Sequence, residues 1–278
     1  MLIDSHQHFL EDRPETYPWM GPGLEPLMRA FGPEDLAAAT QDLGLSGSIL
    51  IQARQTLEET AWLQTIAARQ PRILGVVGWL PLRDATLSAV LDRFVQGGKA
   101  VGVRHVVHDE PDDRFILDPA FNDGLDQIAA HGLVYDLLLQ PRHLEPAREC
   151  VQQHPDLSFV LDHGAKPSIA GSAPDPSWVA GIRTLAEAPN VACKVSGLVT
   201  EATQDPCKPD TLRPWFDTLV DAFGPRRLLF GSDWPVCLLR GSYRQWFDCV
   251  QGWTCDWTPG DREALFGLNA ARIYLKAA

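Results

Sequence analysis

Short apolar runs rich in β-branched residues alternate along the whole chain with longer amphipathic stretches. The apolar runs predict strands at Leu2–His6, Ser48–Gln52, Ile73–Trp79, Ala100–Arg104, Leu133–Leu138, Ser158–Asp162, Val191–Val195 and Leu228–Ser232. The amphipathic stretches predict helices at Pro33–Leu43, Leu57–Arg69, Ala85–Gln96, Pro119–Ala130, His143–Gln152, Ser177–Ala186, Thr211–Ala222 and Ser242–Gly252. Because every strand leads into a helix, we predict an α/β fold, a single (β/α)8 TIM barrel that occupies residues 1–278.

Helix boundary residues agree with this assignment. Pro33 stands at a predicted helix start, and Gly44 and Gly132 follow predicted helix ends. An extra C-terminal helix is predicted at Pro259–Leu275, packed over the outside or the bottom of the barrel. A doubly wound open sheet is the main alternative. Such sheets usually carry a glycine-rich phosphate loop after the first strand, where this chain has His6-Gln7-His8.

Composition and charge narrow the possible partners. The net charge of −12 and the absence of clustered Lys and Arg argue against binding nucleic acid or an anionic membrane. No apolar stretch reaches the length of a membrane span, and Asp4 and His6 interrupt the N-terminal apolar run, so we expect no signal peptide. The six cysteines form no CxxC pair and read as free thiols. We expect a cytoplasmic monomer or small homo-oligomer that acts on a small molecule.

Histidine and aspartate side chains mark the predicted strand tips. His6 and His8 are two residues apart at the end of the first strand, so both imidazoles point to the same side. His163 follows the sixth predicted strand and Asp233 follows the eighth. Because active sites of (β/α)8 barrels form at the C-terminal strand ends, one pocket can collect all four. Imidazole and carboxylate are ligands of Zn²⁺-type metals, which predicts a metallo-hydrolase.

The remaining strand tips supply polar candidates. Arg104 shares a strand face with two small residues and is predicted to point inward, where it could stabilise an oxyanion. The alternative is a purely structural role, in which Arg104 forms an ion pair with Asp109 or Glu110. We expect Asp162 to point away from His163 into the helix layer. The candidate substrate-binding residues are Gln52, Trp79, His105, His108 and Lys194.

An ordered set of motifs resembles the amidohydrolase superfamily, in particular the branch that contains sugar-acid lactonases such as L-fuconolactonase and L-rhamnonolactonase. The segments that carry this resemblance are Asp4–Phe9, Tyr17–Trp19, Gly102–His105, Gly132–Asp136, Leu161–Pro167, Lys194–Leu198 and Phe230–Pro235. They run along nearly the whole chain, each at the expected strand tip. His-x-His alone is a weak signal, whereas the ordered set is strong for the superfamily.

The resemblance implies roles for the strand-tip residues. His6, His8 and His163 would be metal ligands, and Asp233 would be both a ligand and the general base that takes a proton from the attacking water. We predict Asp233, His163 and Arg104 as the catalytic residues, Arg104 because of its charge and inward direction and not because of the resemblance. The fourth strand tip has Arg104-His105 where many superfamily members place a carboxylated lysine, and the fifth has Gln140 where many place a histidine. We therefore expect one divalent ion, zinc in the first place, and the resemblance leaves open whether catalysis requires it.

Two long connections and four competing functions complete the predictions. Residues 9–32 and 166–176 follow strands and are candidate lids over the site.

We predict hydrolysis of a small aldonic-acid lactone in sugar catabolism. A metal-dependent decarboxylase is the alternative, with Arg54 or Lys194 as the clamp on a carboxylate. A phosphoesterase is disfavoured by the acidic charge, and a binding protein without activity is disfavoured by the intact set of His6, His8, His163 and Asp233.

Overall fold

The chain folds as an eight-stranded parallel barrel surrounded by helices. The structure is a computed structural model that describes residues 1–203 and 209–277. Within those residues the eight strands follow one another around the sheet in chain order, each parallel to the next. The predicted (β/α)8 barrel is confirmed.

The strands and helices alternate along the described residues. The strands are β1 Leu2–Gln7, β2 Leu45–Ile51, β3 Ile73–Gly78, β4 Ala100–His105, β5 Val134–Leu137, β6 Phe159–Leu161, β7 Val191–Val195 and β8 Leu228–Phe230. The main helices are α1 Pro33–Ala39, α2 Leu57–Arg69, α3 Leu87–Gln96, α4 Pro119–Ala130, α5 Leu144–Gln153, α6 Pro176–Ala186, α7 Leu198–Glu201, α8 Pro209–Phe223 and α9 Tyr243–Trp253. The predicted boundaries differ from these mostly by one to three residues, as is usual where helix and strand ends fray.

The barrel closes between β8 and β1 at its C-terminal end. The Asp233 amide donates to the His6 carbonyl at 2.8 Å, and the His8 amide donates to the Trp234 carbonyl at 2.7 Å. Asp4 is fully buried beneath this seam, and its carboxylate accepts hydrogen bonds from the Ser232 amide and hydroxyl at 2.9 and 2.6 Å. Closure therefore brings the first and last strand tips together and fixes the backbone of both.

The interior of the barrel is apolar at its N-terminal end and charged above that. The apolar layer consists of Ile3, Ile49, Ile51, Val77, Val101, Val134, Val160, Ala192 and Leu229. Branched side chains of this kind fill the interior of such barrels, so the space is packed core and not a pore. Among the described residues, the barrel interior is therefore accessible from its C-terminal end.

The C-terminal segment packs across the N-terminal end of the barrel and covers it. Sequence analysis predicted one helix at Pro259–Leu275, but the structure has α10 Pro259–Glu263, a π-helical turn at Ala264–Leu268, and α11 Asn269–Tyr274. The turn passes close to the start of β1, where a Cβ on Gly267 would overlap the Met1 carbonyl. Tyr274 extends into the barrel, and its hydroxyl donates to Asp136 at 2.6 Å.

Long side chains tie helix ends to strands at the N-terminal face. Lys99 Nζ and Arg227 Nη1 each donate to three backbone carbonyls, those of Ala67, Gln70 and Ile73 for Lys99 and those of Ala186, Ala188 and Val191 for Arg227. Carbonyls at helix ends lack partners within the helix, so these contacts stabilise the turns.

Two further observations bear on the sequence predictions. None of the described helices is both long and apolar enough to cross a membrane. Five cysteines of the described residues are free thiols, and Cys207 lies outside those residues.

Candidate active site

A cavity of about 550 Å³ opens at the C-terminal end of the barrel. His8, Arg104, His163 and Asp233 line it from the strand tips. Its walls come from loops, and they include Trp19 after β1, Arg54 after β2, His108 after β4 and Lys166 after β6. Both predicted lid loops thus contribute to the wall, and Trp19 is anchored by a 2.8 Å hydrogen bond from its indole to the Ala53 carbonyl.

Three imidazoles converge on one carboxylate oxygen at the base of this pocket. Asp233 Oδ1 lies 3.4 Å from His8 Nε2, 3.7 Å from His6 Nε2 and 3.9 Å from His163 Nε2. His6 lies in β1 and His8 comes one residue after its end, and both imidazoles reach this oxygen. All four residues are almost completely buried, with exposed fractions of 5 % or less.

Burial and electrostatic attraction set the protonation states of His6, His163 and Asp233. Burial lowers the pKa of His163 to about 4 and that of His6 well below its usual 6.5, so both rings are neutral near pH 7. Burial would raise the pKa of Asp233, but attraction from the neighbouring histidines, His163 first, outweighs it and holds that pKa below its usual range. The pocket therefore presents an ionised carboxylate beside the neutral imidazoles of His6 and His163.

His163 reaches the pocket through a left-handed backbone turn. His163, Gly164, Ala165 and Lys166 have φ values of 56°, 56°, 61° and 48°. Such angles are uncommon for residues other than glycine and persist where surrounding contacts impose them. Here the Trp178 indole donates to the Gly164 carbonyl at 2.8 Å, and His163 Nδ1 is bonded to Ser196 Oγ at 2.8 Å. The turn aims Nε2 of His163 at Asp233.

Gly197 leaves the room that the His163 ring needs. A Cβ at this position would overlap the ring at Nδ1 and Cγ. We expect Gly197→Ala to lower kcat about 100-fold, because a displacement of about 1 Å at a catalytic group can cost that much. Gly132→Ala is the matched control, since Gly132 also has φ of +65° but nothing within 4 Å of its Cβ position. Equal kcat in the two variants, each checked for folding by thermal unfolding, would contradict this role.

Arg104 points inward, and its guanidinium is held on two sides. Nη1 donates to Asp162 Oδ2 at 2.9 Å, and Nη2 donates to the Gln52 carbonyl at 2.5 Å. The alternative partner Glu110 instead contacts His105, at 2.6 Å. The cation is therefore fixed at the pocket floor, 3.4 Å from His6 Nε2.

The prediction that Asp162 points into the helix layer is wrong. β6 ends at Leu161 and the left-handed turn follows at once, so strand alternation does not continue to residue 163. Asp162 and His163 consequently both face the barrel interior. Besides Arg104, Asp162 contacts Lys194 Nζ at 2.9 Å and His6 Nδ1 at 3.2 Å.

Four predicted substrate-binding residues do not line the main cavity. Gln52 and Lys194 are fully buried below its floor, and Lys194 is paired with Asp136 at 2.5 Å. Trp79 and His105 border a separate cavity of about 270 Å³ between the loops after β3 and β4. His105 follows Arg104 on the strand, and alternation sends its side chain to the other side. His108 is the member of the predicted set that lines the main cavity.

Arg54 connects the first lid loop to the rest of the wall. Its guanidinium bonds Glu11 at 2.5 Å and Thr16 Oγ1 at 2.8 Å, and it lies 4.8 Å from the centre of the Tyr17 ring. Glu59 supports the backbone behind it by accepting from the Arg54 amide at 2.6 Å. The charge of Arg54 is therefore neutralised within the protein.

Glu59 makes stability depend on pH. Burial raises its pKa from 4.5 to about 7, so the folded protein binds a proton there that the unfolded chain has lost. The contribution of Glu59 to stability is complete below pH 4.5 and falls as the pH rises to 7. We expect the free energy of unfolding of Glu59→Gln, relative to wild type, to increase by about 2 to 3 kcal/mol between pH 4.5 and 7.5.

Urea denaturation at the two pH values measures this difference. Glu58→Gln is the control, because the Glu58 side chain is 76 % exposed on the same helix. An unchanged difference between Glu59→Gln and wild type at both pH values would show that Glu59 keeps its ordinary pKa.

Sequence reasoning missed Lys166, Asp136 and Tyr274 as parts of this region. Lys166 lines the pocket wall and is paired with Glu201 at 2.6 Å. Its place two residues after His163-Gly164 in the DHGAKP segment was the available signal. Asp136 and Tyr274 meet below the floor across 138 positions of sequence, which no local pattern reveals.

The residues at the floor fit a divalent metal ion. The ligand atoms of His6, His8 and Asp233 lie within 4.8 Å of one another, and all three residues are buried. His8 Nδ1 is bonded to the Ile51 carbonyl at 2.9 Å, which leaves its Nε2 lone pair facing His6. Two imidazoles and a carboxylate are a donor set that zinc accepts. Fold and site together define a barrel enzyme with a histidine–aspartate centre.

Comparison with known proteins also indicates a barrel enzyme and identifies its family. The sequence model of the amidohydrolase family matches residues 3–276. The chain is 40% identical over 284 residues to L-fucono-1,5-lactonase from Burkholderia multivorans, covering 99% of this chain and 96% of the relative. The lactonase of the same name from Burkholderia ambifaria is 37% identical over 280 residues, covering 98% and 94%. The chain therefore belongs to the amidohydrolase family and is an enzyme of that family.

Solved structures give the same result. The crystal structure of a Burkholderia multivorans amidohydrolase with bound zinc has a TM-score of 0.93 and 39% identity to this chain, with 99% of both chains covered. A second crystal structure from the same organism, with bound HEPES, has a TM-score of 0.94 and 39% identity, again with 99% of both chains covered.

Proposed function

We propose that this protein hydrolyses a small sugar-acid lactone, with Asp233 as the general base. The observation that carries the proposal is the ionised Asp233 carboxylate, which three imidazoles surround at the floor of an open pocket. The 40% identity to a lactonase over nearly the whole chain supports the same reaction class. Lactones of the fucono-1,5 type are the first candidates.

Hydrolysis of a lactone requires a base and a stabiliser of negative charge. A water between Asp233 and the bound ring gives one proton to Asp233 as its oxygen bonds to the carbonyl carbon. The ring carbon–oxygen bond then breaks, and the ring oxygen takes the proton back from Asp233 to become a hydroxyl. The new carboxyl group, which keeps the second proton of the water, ionises and releases that proton as acid. Because the pKa of Asp233 lies below its usual range, the carboxylate is in the proton-accepting form throughout the neutral range.

Arg104 supplies a fixed positive charge for the carbonyl oxygen. Its contacts with Asp162 and the Gln52 carbonyl hold the guanidinium in place before the reaction. A preorganised cation in a buried site stabilises developing negative charge more than one in water does. We therefore assign Arg104 to the oxyanion that forms at the carbonyl.

His6, His8, His163 and Asp233 would hold one divalent ion, with zinc as the first candidate. Such an ion would acidify a bound water and polarise a carbonyl. The zinc-containing structure of the related amidohydrolase supports this choice of metal. Whether catalysis requires the ion is decided by assaying enzyme freed of metal with a chelator and the same enzyme after zinc is restored.

The pocket wall suits an uncharged ring with hydroxyl groups. Trp19 offers an apolar face, and His108 Nδ1 is buried without a hydrogen-bond partner in the described part of the chain. We assign His108 to a substrate hydroxyl. The charges of Arg54 and Lys166 are balanced by Glu11 and Glu201. In this proposal the substrate reaches His108 but not Gln52, Trp79, His105 or Lys194.

The alternative, a metal-dependent decarboxylase, would need Arg54 or Lys194 to bind the carboxylate of its substrate. Arg54 is paired with Glu11 and lies 3.5 Å from Glu59, and Lys194 is paired with Asp136 and Asp162. Neither is free to bind a substrate carboxylate. We also propose that the enzyme is cytoplasmic, serves sugar catabolism and is a monomer or small homo-oligomer.

A substrate panel tests the proposed function. Acid release from 1,4- and 1,5-aldonolactones is followed with a pH indicator, and carbon dioxide release from aromatic acids is measured in parallel. We expect fast turnover of one or two lactones and none of the aromatic acids. Well-folded protein that opens no lactone but releases carbon dioxide would replace the lactonase proposal with the decarboxylase.

A further inference from the structure

Trp19, in the first lid loop at residues 9–32, forms part of the pocket wall and is bound along its polar edge. Its indole N–H donates to the Ala53 carbonyl at 2.8 Å, and its ring meets the Tyr17 ring edge to face, with the ring centres 5.9 Å apart. Trp19 is half-buried and lines the main cavity. The indole therefore offers a ligand its apolar surface, because its one polar group already has a partner.

Arg54, which follows β2, binds the same loop at three residues. Nη2 donates to Glu11 Oε2 at 2.5 Å, and Nη1 donates to Thr16 Oγ1 at 2.8 Å. The guanidinium carbon lies 4.8 Å from the centre of the Tyr17 ring. Arg54 is 5 % exposed, and a buried hydrogen bond between charged groups is stronger than a neutral one. The side chain thus fastens the loop to the barrel on both sides of the turn.

Glu59 on α2 fixes the two residues that anchor the indole. Its Oε2 accepts from the Ala53 amide at 2.9 Å and from the Arg54 amide at 2.6 Å, and Glu59 is completely buried. The carbonyl that binds Trp19 and the guanidinium that binds its loop therefore belong to one rigid segment. The indole is in place before a ligand arrives, and preorganisation of this kind increases affinity because less freedom is lost on binding.

We propose that Arg54 is a positioning residue that increases affinity for a lactone ring by holding Trp19 against one face of that ring. It acts through the lid loop and not by contact with the substrate. The inference rests on the proposed lactone hydrolysis and adds a substrate class, namely rings with C–H groups on one face that can pack on an indole. Because Asp233 and Arg104 keep their own contacts, Arg54 contributes to KM and not to kcat.

Arg13 provides a matched control on the same carboxylate. Its Nη2 donates to both oxygens of Glu11 at 2.9 Å, but its side chain is 48 % exposed and belongs to the lid loop itself. On α2 it lies 3.7 Å from Glu58, which is also exposed. Ion pairs in such surroundings contribute little. Loss of Arg13 should therefore leave Trp19 in place, whereas loss of Arg54 should release it.

Steady-state kinetics with the preferred lactone separate positioning from catalysis. Arg54→Met should raise KM about 5- to 10-fold and change kcat by less than about 3-fold, because binding is lost equally in the ground and transition states. Trp19→Ala should raise KM at least as much, and the double variant should be no worse than Trp19→Ala alone. Arg54→Lys should recover little, since lysine has no fork for two acceptors. Arg13→Met should keep the wild-type KM.

Three kinetic results would overturn the proposal. The first is an unchanged KM in Arg54→Met. The second is a fall in kcat as large as the rise in KM, which would place Arg54 in the transition state. The third is multiplication of the two KM increases in the double variant, which would show that Arg54 contacts the substrate independently of Trp19.

Exchange of the Trp19 indole proton with water gives a readout that needs no substrate. Protein labelled with nitrogen-15 at tryptophan shows indole N–H signals, and Trp19→Phe identifies the signal of Trp19 by its absence. We expect a protected proton in wild type and in Arg13→Met, and exchange at least about 10-fold faster in Arg54→Met because the loop opens locally more often. Equal exchange in wild type and Arg54→Met would overturn the positioning role.

A second variant covers loss of folding in Arg54→Met. Glu11→Ala removes the carboxylate partner from the loop side, where the Glu11 side chain is 21 % exposed, and it should also speed the exchange of the Trp19 indole proton. An exchange rate equal to that of wild type would count against the proposal as before. Failure to hydrolyse any lactone would overturn the proposed function and with it the substrate class, whereas the exchange rates decide the positioning role of Arg54 separately.

Discussion

Asp233→Asn is expected to lower kcat for lactone hydrolysis by about 1000-fold and to leave the thermal transition nearly unchanged. Asparagine has the same size but cannot take a proton from water. The residue has φ of +55°, which asparagine tolerates well, and the bond from its amide to the His6 carbonyl is preserved. The loss should therefore be chemical and not structural.

Steady-state kinetics and thermal unfolding of the same preparation measure both effects. Asp248→Asn is a suitable control, because Asp248 lies on α9 and is about half exposed. Retention of most of the wild-type kcat by Asp233→Asn would remove Asp233 from the role of base. Loss of folding would show that its main role is structural.

Arg104→Met is expected to lower kcat about 100- to 1000-fold with a smaller change in KM. Removal of one preorganised donor at an oxyanion typically has an effect of this size. Met retains much of the side-chain volume, and Asp162 keeps its contact with Lys194. The split between kcat and KM separates stabilisation of the transition state from ground-state binding.

Arg104→Lys provides the matched comparison. Lysine restores the charge but has no fork with which to contact both Asp162 and the Gln52 carbonyl. We expect partial recovery of kcat over Arg104→Met. Unaltered kcat/KM in Arg104→Met would exclude the residue from the mechanism.

The barrel and the centre of its site could be predicted from the sequence. Strand and helix periods are local, and parallel strands place their tips at one end. The predicted strands alone therefore place His6, His8, His163 and Asp233 at the same end of the barrel. The same reasoning gave the inward direction of Arg104.

The prediction of Asp162 failed where the backbone leaves its regular period. A left-handed turn begins at His163, and no sequence rule for strands anticipates one that includes three residues other than glycine. The prediction therefore placed Asp162 in the helix layer, whereas the structure places it beside His6 in the interior.

The depth at which a residue lies along the barrel axis could not be predicted from the sequence either. Gln52 ends a predicted strand as Arg104 does, and Lys194 is one residue from the end of another, but both are completely buried below the floor. That layer is completed by Tyr274, from the far end of the chain. Such contacts depend on how the barrel closes and on where the C-terminal segment packs.

Hydrolysis of the preferred lactone in water enriched in oxygen-18 tests the central claim most directly. Mass spectrometry of the product and its fragments locates the label. Attack of an activated water on the ring carbonyl predicts one oxygen-18 in the product carboxylate under single-turnover conditions. Label in the hydroxyl released from the ring, or no product from folded enzyme, would contradict the mechanism built on Asp233 and Arg104.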